Sequence, residues 1–140
     1  MTDLTVSVSK TINAPAERVY DAWLDPALLT RFILPAIGMP QPEVGNDPRE
    51  GGRFEIVMHV GDERIPHRGT YLELKRPERI VFSWESPYST DDSRVTLEFS
   101  AVGDGQTRVE LTHIRFLNEE ARDNHEGGWR NILDALDGIL

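Results

Sequence analysis

No cysteine occurs in the chain, which excludes disulfides, thiolate metal sites and cysteine nucleophiles. Long apolar runs are missing too. No stretch approaches the roughly 20 apolar residues that span a bilayer, and the opening MTDLTVSVSK lacks the apolar centre of a signal peptide. A cytosolic protein without a membrane partner is therefore expected. Basic residues are the minority, 15 Lys and Arg against 24 Asp and Glu for a net charge of −9. The arginines are scattered, and nucleic acid is not expected as a partner because phosphate backbones need a local basic patch. Catalytic signatures are absent as well: there is no HExxH, Walker loop, GxGxxG, GxSxG or EF-hand. The four histidines, His59, His67, His113 and His125, match no recurrent ligand spacing, so neither a metal nor another cofactor is expected.

What is present is ordinary globular material. With 140 residues, 39% hydrophobic and 28% charged, the chain reads as one folded domain over residues 1–140. Leu4 to Ile12 alternates apolar and polar residues, the period of a half-buried edge strand. Asn13-Ala-Pro15 opens a helix with Pro15 at its first position and Val19, Tyr20, Trp23 and Leu24 inward. Asp25-Pro26 caps and starts a second short helix with Leu28, Leu29 and Phe32 inward. A long irregular connection from Pro35 to Gly52 follows, with a short strand around Gln41 to Gly45.

Strands are then expected over Gly52 to Val60, Ile65 to Leu74 and Arg79 to Glu85, joined by turns at Gly61-Asp62 and Arg76-Pro77-Glu78. Phe54, Ile56, Met58 and Val60 share one face, as do Ile80, Phe82 and Trp84. After a polar loop at Pro87 to Asp92, Val95, Leu97 and Phe99 alternate, Gly103-Asp104-Gly105 turns, and Val109, Leu111 and His113 continue. From Asn118 the period changes to 3.6. A helix of some 22 residues should present Ala121, His125, Trp129, Ile132, Leu133, Leu136, Ile139 and Leu140 inward. That stripe needs a broad partner, so the fold class is α+β: a curved antiparallel sheet of about six to seven strands wrapped around a long C-terminal helix.

Several motifs carry a family resemblance: Ile12-Asn-Ala-Pro15 with Val19 and Trp23; Asp47-Pro-Arg-Glu-Gly-Gly-Arg-Phe54; Gly69-Thr-Tyr71; Arg79-Ile-Val-Phe-Ser-Trp84; Val95-Thr-Leu97; Thr107 to His113; and His125-Glu-Gly-Gly-Trp129. In this order they resemble the START-like SRPBCC superfamily, and within it the branch named after the activator of the 90-kDa heat-shock protein ATPase. The resemblance implies a helix-grip fold with a cavity between helix and sheet. Phe32 stands where the branch often has Trp, and two glycines rather than one precede Trp129.

Gly127 and Gly128 lie inside the expected helix, where each costs about 1 kcal/mol relative to alanine. Close approach of the sheet, room for a ligand, or a kink would each account for them. Trp23, Phe32, Phe54, Met58, Trp84 and Trp129 have the bulk of an apolar pocket lining and equally of a core. His125 and His113 face inward, where an imidazole either orients a polar ligand group or is hydrogen-bonded within the core. The Asp47-Pro-Arg-Glu-Gly-Gly run places Arg49 and Arg53 either at the cavity rim or, as the favoured reading, on a turn as solvated charges. These eight aromatic, Met and His residues form the candidate ligand set. The leading expectation is a protein that holds a small hydrophobic or amphipathic molecule. The alternatives are a chaperone-interacting module and a small START-like cyclase or hydrolase using a cavity histidine; no catalytic residue is assigned, and a homodimer is left open.

Overall fold

The computed structural model describes residues 4–34, 39–87 and 89–140; the start of the expected connection at Pro35 and one residue of the expected loop after Pro87 lie outside them. The chain runs β1 (Thr5–Ile12), α1 (Ala16–Ala22), α2 (Pro26–Phe32), β2 (Glu43–Asn46), β3 (Arg53–Val60), β4 (Glu63–Lys75), β5 (Arg79–Ser83), β6 (Ser89–Gly103), β7 (Gln106–Phe116) and α3 (Glu119–Ile139). The strands form one seven-stranded sheet in the order β1-β7-β6-β5-β4-β3-β2, and every neighbouring pair is antiparallel. The sheet curves around α3, so the architecture is the α+β one expected from the change of period.

Local chemistry explains most boundaries. In β1, Val6, Val8 and Ile12 are buried while Thr5, Ser7, Ser9 and Thr11 are exposed, and the strand does lie at a sheet edge. Pro15 sits one residue earlier than expected: its extended backbone makes it the N-cap of α1 rather than the first helical residue. The Asp25 carboxylate accepts from the Ala27 and Leu28 amides at 2.9 and 3.4 Å, with Pro26 in the first turn of α2. Asn118 caps α3 by accepting from the Ala121 amide at 2.8 Å, and Glu119 and Glu120 occupy the first turn, where the helix dipole favours negative charge.

Two sequence expectations need adjustment. The polar residues after Pro87 are not all loop, because β6 already begins at Ser89. Asp92 adopts a left-handed conformation, φ 63°, and the ladder skips from Ser89↔Phe116 to Arg94↔Ile114 around it, so a bulge absorbs the polar run. Val60 shares the parity of Phe54, Ile56 and Met58 but is 48% exposed, since it lies at the tip of β3 beside the Gly61 turn.

Helix α3 packs on β1, β7 and α2. Ala121, Gly128, Trp129, Ile132, Leu133 and Leu136 are its buried residues. Its C-terminal end is tied to β1 by Lys10–Asp134 at 3.0 Å and by the Asn13 amide, which donates to Asp137 at 3.0 Å. The N-terminal half of the same helix shares a cavity with Met58 of β3 and His67 of β4, and the site forms there.

Candidate functional site

Trp84 follows β5 directly, and its backbone amide donates to the Ser93 carbonyl at 2.9 Å. Across the sheet, Arg68 and Glu85 exchange both backbone hydrogen bonds at 2.8 Å, which fixes the chain on either side of the indole. This segment approaches β4 so closely that a Cβ on Gly69 would lie 2.0 Å from the Ser83 carbonyl oxygen and 2.5 Å from the Phe54 ring. Only glycine fits there. The Trp84 ring then stands among Phe54, Phe82, His67, His113 and Trp129, with centroid separations between 5.1 Å to His67 and 6.3 Å to Phe54.

Trp84 is a wall shared by two apolar cavities and by a more polar pocket of about 690 Å³ lined also by Ser83, Glu85, Ser86, Ser89, Thr90, Asp92 and Ser93. The smaller, about 20 Å³, is lined by Trp23, Phe54, Ile56, Tyr71 and Phe82 from the sheet and short helices, together with Leu29, Ile33 and Val44. The larger, about 140 Å³, lies between the sheet and α3 and is lined by Met58, His67, Trp84, Asn124, His125, Gly128, Trp129 and Ile132. Asn124 is exposed and His125 half-buried, which puts the mouth at the N-terminal half of α3.

The histidines divide by their partners. His113 is fully buried, with both ring nitrogens engaged. The Trp129 indole N–H donates to its Nδ1 at 3.0 Å. An indole nitrogen can only donate, so Nδ1 carries the lone pair and the neutral ring carries its proton on Nε2. That proton goes to Ser93 Oγ at 2.8 Å, and the Ser93 hydroxyl in turn donates to the Ile114 carbonyl at 3.2 Å. The pair looks like a nucleophile and its base, but the polarity is reversed: this imidazole donates to the serine and cannot take its proton. Desolvation, helped by neighbouring His125, pushes the His113 pKa down to about 2.

His125 is different. Its Nδ1–H donates to the Ala121 carbonyl one turn back at 2.7 Å, which leaves Nε2 as the lone-pair nitrogen of the neutral ring. Burial lowers its pKa. His67, 6% exposed, lies on Trp84 and has no partner for Nδ1; burial, with a smaller contribution from His125, brings its pKa down to about 4. The Trp84 Nε1–H is likewise buried and unpartnered. The lining of the larger cavity is therefore mainly apolar and formally uncharged at neutral pH.

Of the expected set, Met58, Trp84, His125 and Trp129 line the larger cavity, while Trp23 and Phe54, again with Trp84, line the smaller. Phe32 is fully buried against Trp23 with centroids 5.0 Å apart, and His113 braces Trp129 from behind. His67, Asn124 and Gly128 were not in the set. The parity of Ile65, His67, Gly69 and Tyr71 along β4 was the available signal for His67. Gly127 and Gly128 sit in an unbroken helix, the first exposed with open space where a Cβ would point, the second in the cavity wall. Arg49 pairs with Asp47 at 2.6 Å and Arg53 with Glu85 at 3.0 Å, both at the surface. Among the described residues no cluster of three or more His, Asp or Glu could hold a metal, and no helix is long and apolar enough to cross a membrane.

Comparison with known proteins places these features in context. A sequence model of the family described as Activator of Hsp90 ATPase homolog 1-like protein matches residues 13–140. No curated protein matches the chain. Among solved structures, a Nitrosomonas europaea protein is 20% identical, with TM-score 0.80 and 98% of this chain and 94% of that one covered. A Chromobacterium violaceum protein is 23% identical, with TM-score 0.78 and 96% of each chain covered. CalU16 from Micromonospora echinospora is 28% identical, with TM-score 0.72 and 96% of this chain and 74% of that one covered.

Proposed function

The chain belongs to the Activator of Hsp90 ATPase homolog 1-like family, and from that premise and the geometry above we propose that it is a cytosolic protein that binds a small amphipathic molecule between α3 and the sheet. The observation that carries this reading is the 140 Å³ cavity between α3 and the sheet, walled by Met58, Trp84, Trp129 and Ile132 with His125 at its mouth. Apolar burial would supply most of the affinity, at about 25 cal/mol per Å², and His125 at the mouth would orient the polar end. Met58, Trp84, His125, Trp129 and Ile132 are the proposed contacts, with His113 holding Trp129 in place.

A thermal-shift screen of small neutral ring compounds tests the reading. Binders should raise the melting temperature of the natural chain and fail to raise that of Ile132→Trp, which fills the cavity. A screen without any binder, together with a map showing the space closed by side chains, would remove the proposal.

The family match bears more directly on a second reading, a module that contacts a chaperone and stimulates its ATPase. The motivation is the family description alone. Co-precipitation with a bacterial Hsp90 and an ATP-hydrolysis assay separate the two: stimulation that survives Ile132→Trp would support the chaperone reading independently of the cavity. Absence of both binding and stimulation would eliminate it.

A further inference from the structure

We infer that Gly128 selects the occupant of the larger cavity: the side chain it lacks leaves room for an uncharged molecule about the size of one six-membered ring, and a methyl group there would weaken that molecule's binding. This rests on the small-molecule reading and adds the ligand class and the residue that sets it.

The glycine stands in the middle of the helical wall. Residues four apart lie one above another on a helix, so Asn124, Gly128 and Ile132 form one row of α3, and all three line the cavity. A Cβ at position 128 would project from that row, between the Asn124 and Ile132 side chains, into the same space. The rival accounts of the glycine pair fit less well. Helix α3 runs unbroken from Glu119 to Ile139, so no kink calls for glycine. Gly127 is exposed, with nothing within 4 Å of the Cβ it lacks. Gly128 is buried, yet the elements on which α3 chiefly packs are β1, β7 and α2, whereas the far wall of the cavity is Met58 of β3 and His67 of β4. The helix backbone at Gly128 meets open space there instead of a strand pressed against it.

Size and charge define the guest. A volume of about 140 Å³ suits one six-membered ring with a small substituent; a dry engineered cavity of roughly 150 Å³ takes benzene. Trp84 and Trp129, 5.3 Å apart at 59°, and the Met58 thioether offer surroundings that favour a ring. Among the described residues lining the cavity none is Asp, Glu, Lys or Arg. Burial lowers the pKa of both His67 and His125, so the walls hold no charge at neutral pH. A carboxylate or ammonium would enter without a counter-ion and lose its hydration uncompensated.

The experiment titrates the full chain with toluene and benzoate by calorimetry and with xenon by NMR, in the natural sequence, in Gly128→Ala and in Gly127→Ala. Toluene and xenon should bind the natural chain, and benzoate should not. In Gly128→Ala toluene should bind roughly tenfold more weakly, the usual consequence of one extra methyl in a filled space, while xenon, a smaller guest, is retained. The ligand-free melting temperature of that variant should not fall, because alanine is the better helix former. Gly127→Ala should leave both affinities unchanged. Toluene binding that survives Gly128→Ala, an equal loss in Gly127→Ala, or loss of xenon together with toluene would each overturn the inference and leave the cavity reading standing. So would a Gly128→Ala chain that melts lower or does not fold, the mark of close packing, and so would tight benzoate binding. Failure of both toluene and xenon to bind the natural chain would overturn the inference and the cavity reading together.

Discussion

Replacing Ser93 by Ala isolates the chain of hydrogen bonds behind the site. Ser93 is 2% exposed and His113 fully buried, so bulk water barely reaches the lost contacts. Without Oγ, the His113 Nε2–H loses its acceptor at 2.8 Å, and the Ile114 carbonyl loses a donor at 3.2 Å. The ring cannot escape by moving its proton to Nδ1, because that nitrogen already accepts from Trp129. One orphaned buried donor costs about 1–3 kcal/mol, and the small volume change adds little. For a chain of this size that corresponds to a fall in melting temperature of about 3–12 °C. Combining Ser93→Ala with His113→Phe removes donor and acceptor together, so the double variant should lose less than the sum of the two single ones. Unfolding followed by circular dichroism gives the stabilities, and ¹⁵N-coupled NMR gives the tautomer. A Ser93→Ala chain as stable as the original, or a proton found on His113 Nδ1, would refute the reasoning and reopen Ser93 as a nucleophile with His113 as its base.

Acid should destabilise the fold well before its carboxylates titrate. His67 and His113 have folded pKa values near 4 and 2, against about 6.5 in the unfolded chain. Protons therefore bind the unfolded state first, and the stability is complete above about pH 6.5 and lost as pH falls toward the folded values, by about 1.4 kcal/mol per pH unit for each histidine. Urea midpoints at pH 7, 6 and 5 check this, and a flat profile would contradict it. Gly69→Ala should cost about 3 kcal/mol or more in denaturant unfolding, because the new methyl meets a backbone oxygen at 2.0 Å that cannot swing away; a neutral result would mean β4 and β5 separate freely. Gly127→Ala, exposed with nothing within 4 Å of the new Cβ, should instead stabilise by about 1 kcal/mol in the same assay, and destabilisation there would show that the helix needs its flexibility.

Much of the fold was legible because it depends on period. The alternation of Val6 and Val8 in β1, the stripe from Ala121 to Leu136 in α3 and the caps at Asp25 and Asn118 all follow from local rules that one sequence displays. The bulge at Asp92 escaped them, since pairing across β6 and β7 kept a polar run in the ladder. Within the site, parity correctly faced Trp84, Trp129 and His125 toward the helix–sheet interface. Parity could not tell a wall from a packed interior: Phe32 and His113 face inward as well, but one is packed solid and the other saturated with hydrogen bonds. The difference is a packing deficit of about 140 Å³, close to one large side chain, set by how strands separated by many residues meet. His67 became significant only when β4 brought it onto Trp84.

The central claim is that the space bounded by Met58, Trp84, Trp129 and Ile132 receives a ligand. Methyl NMR on the full chain, labelled at the Met58 and Ile132 methyls and titrated with the small neutral ring compounds of the thermal-shift screen, tests it most directly. The account expects saturable shifts of both methyls and intermolecular NOEs from each to the same bound ring. Methyl signals that stay put with every compound in excess would contradict it.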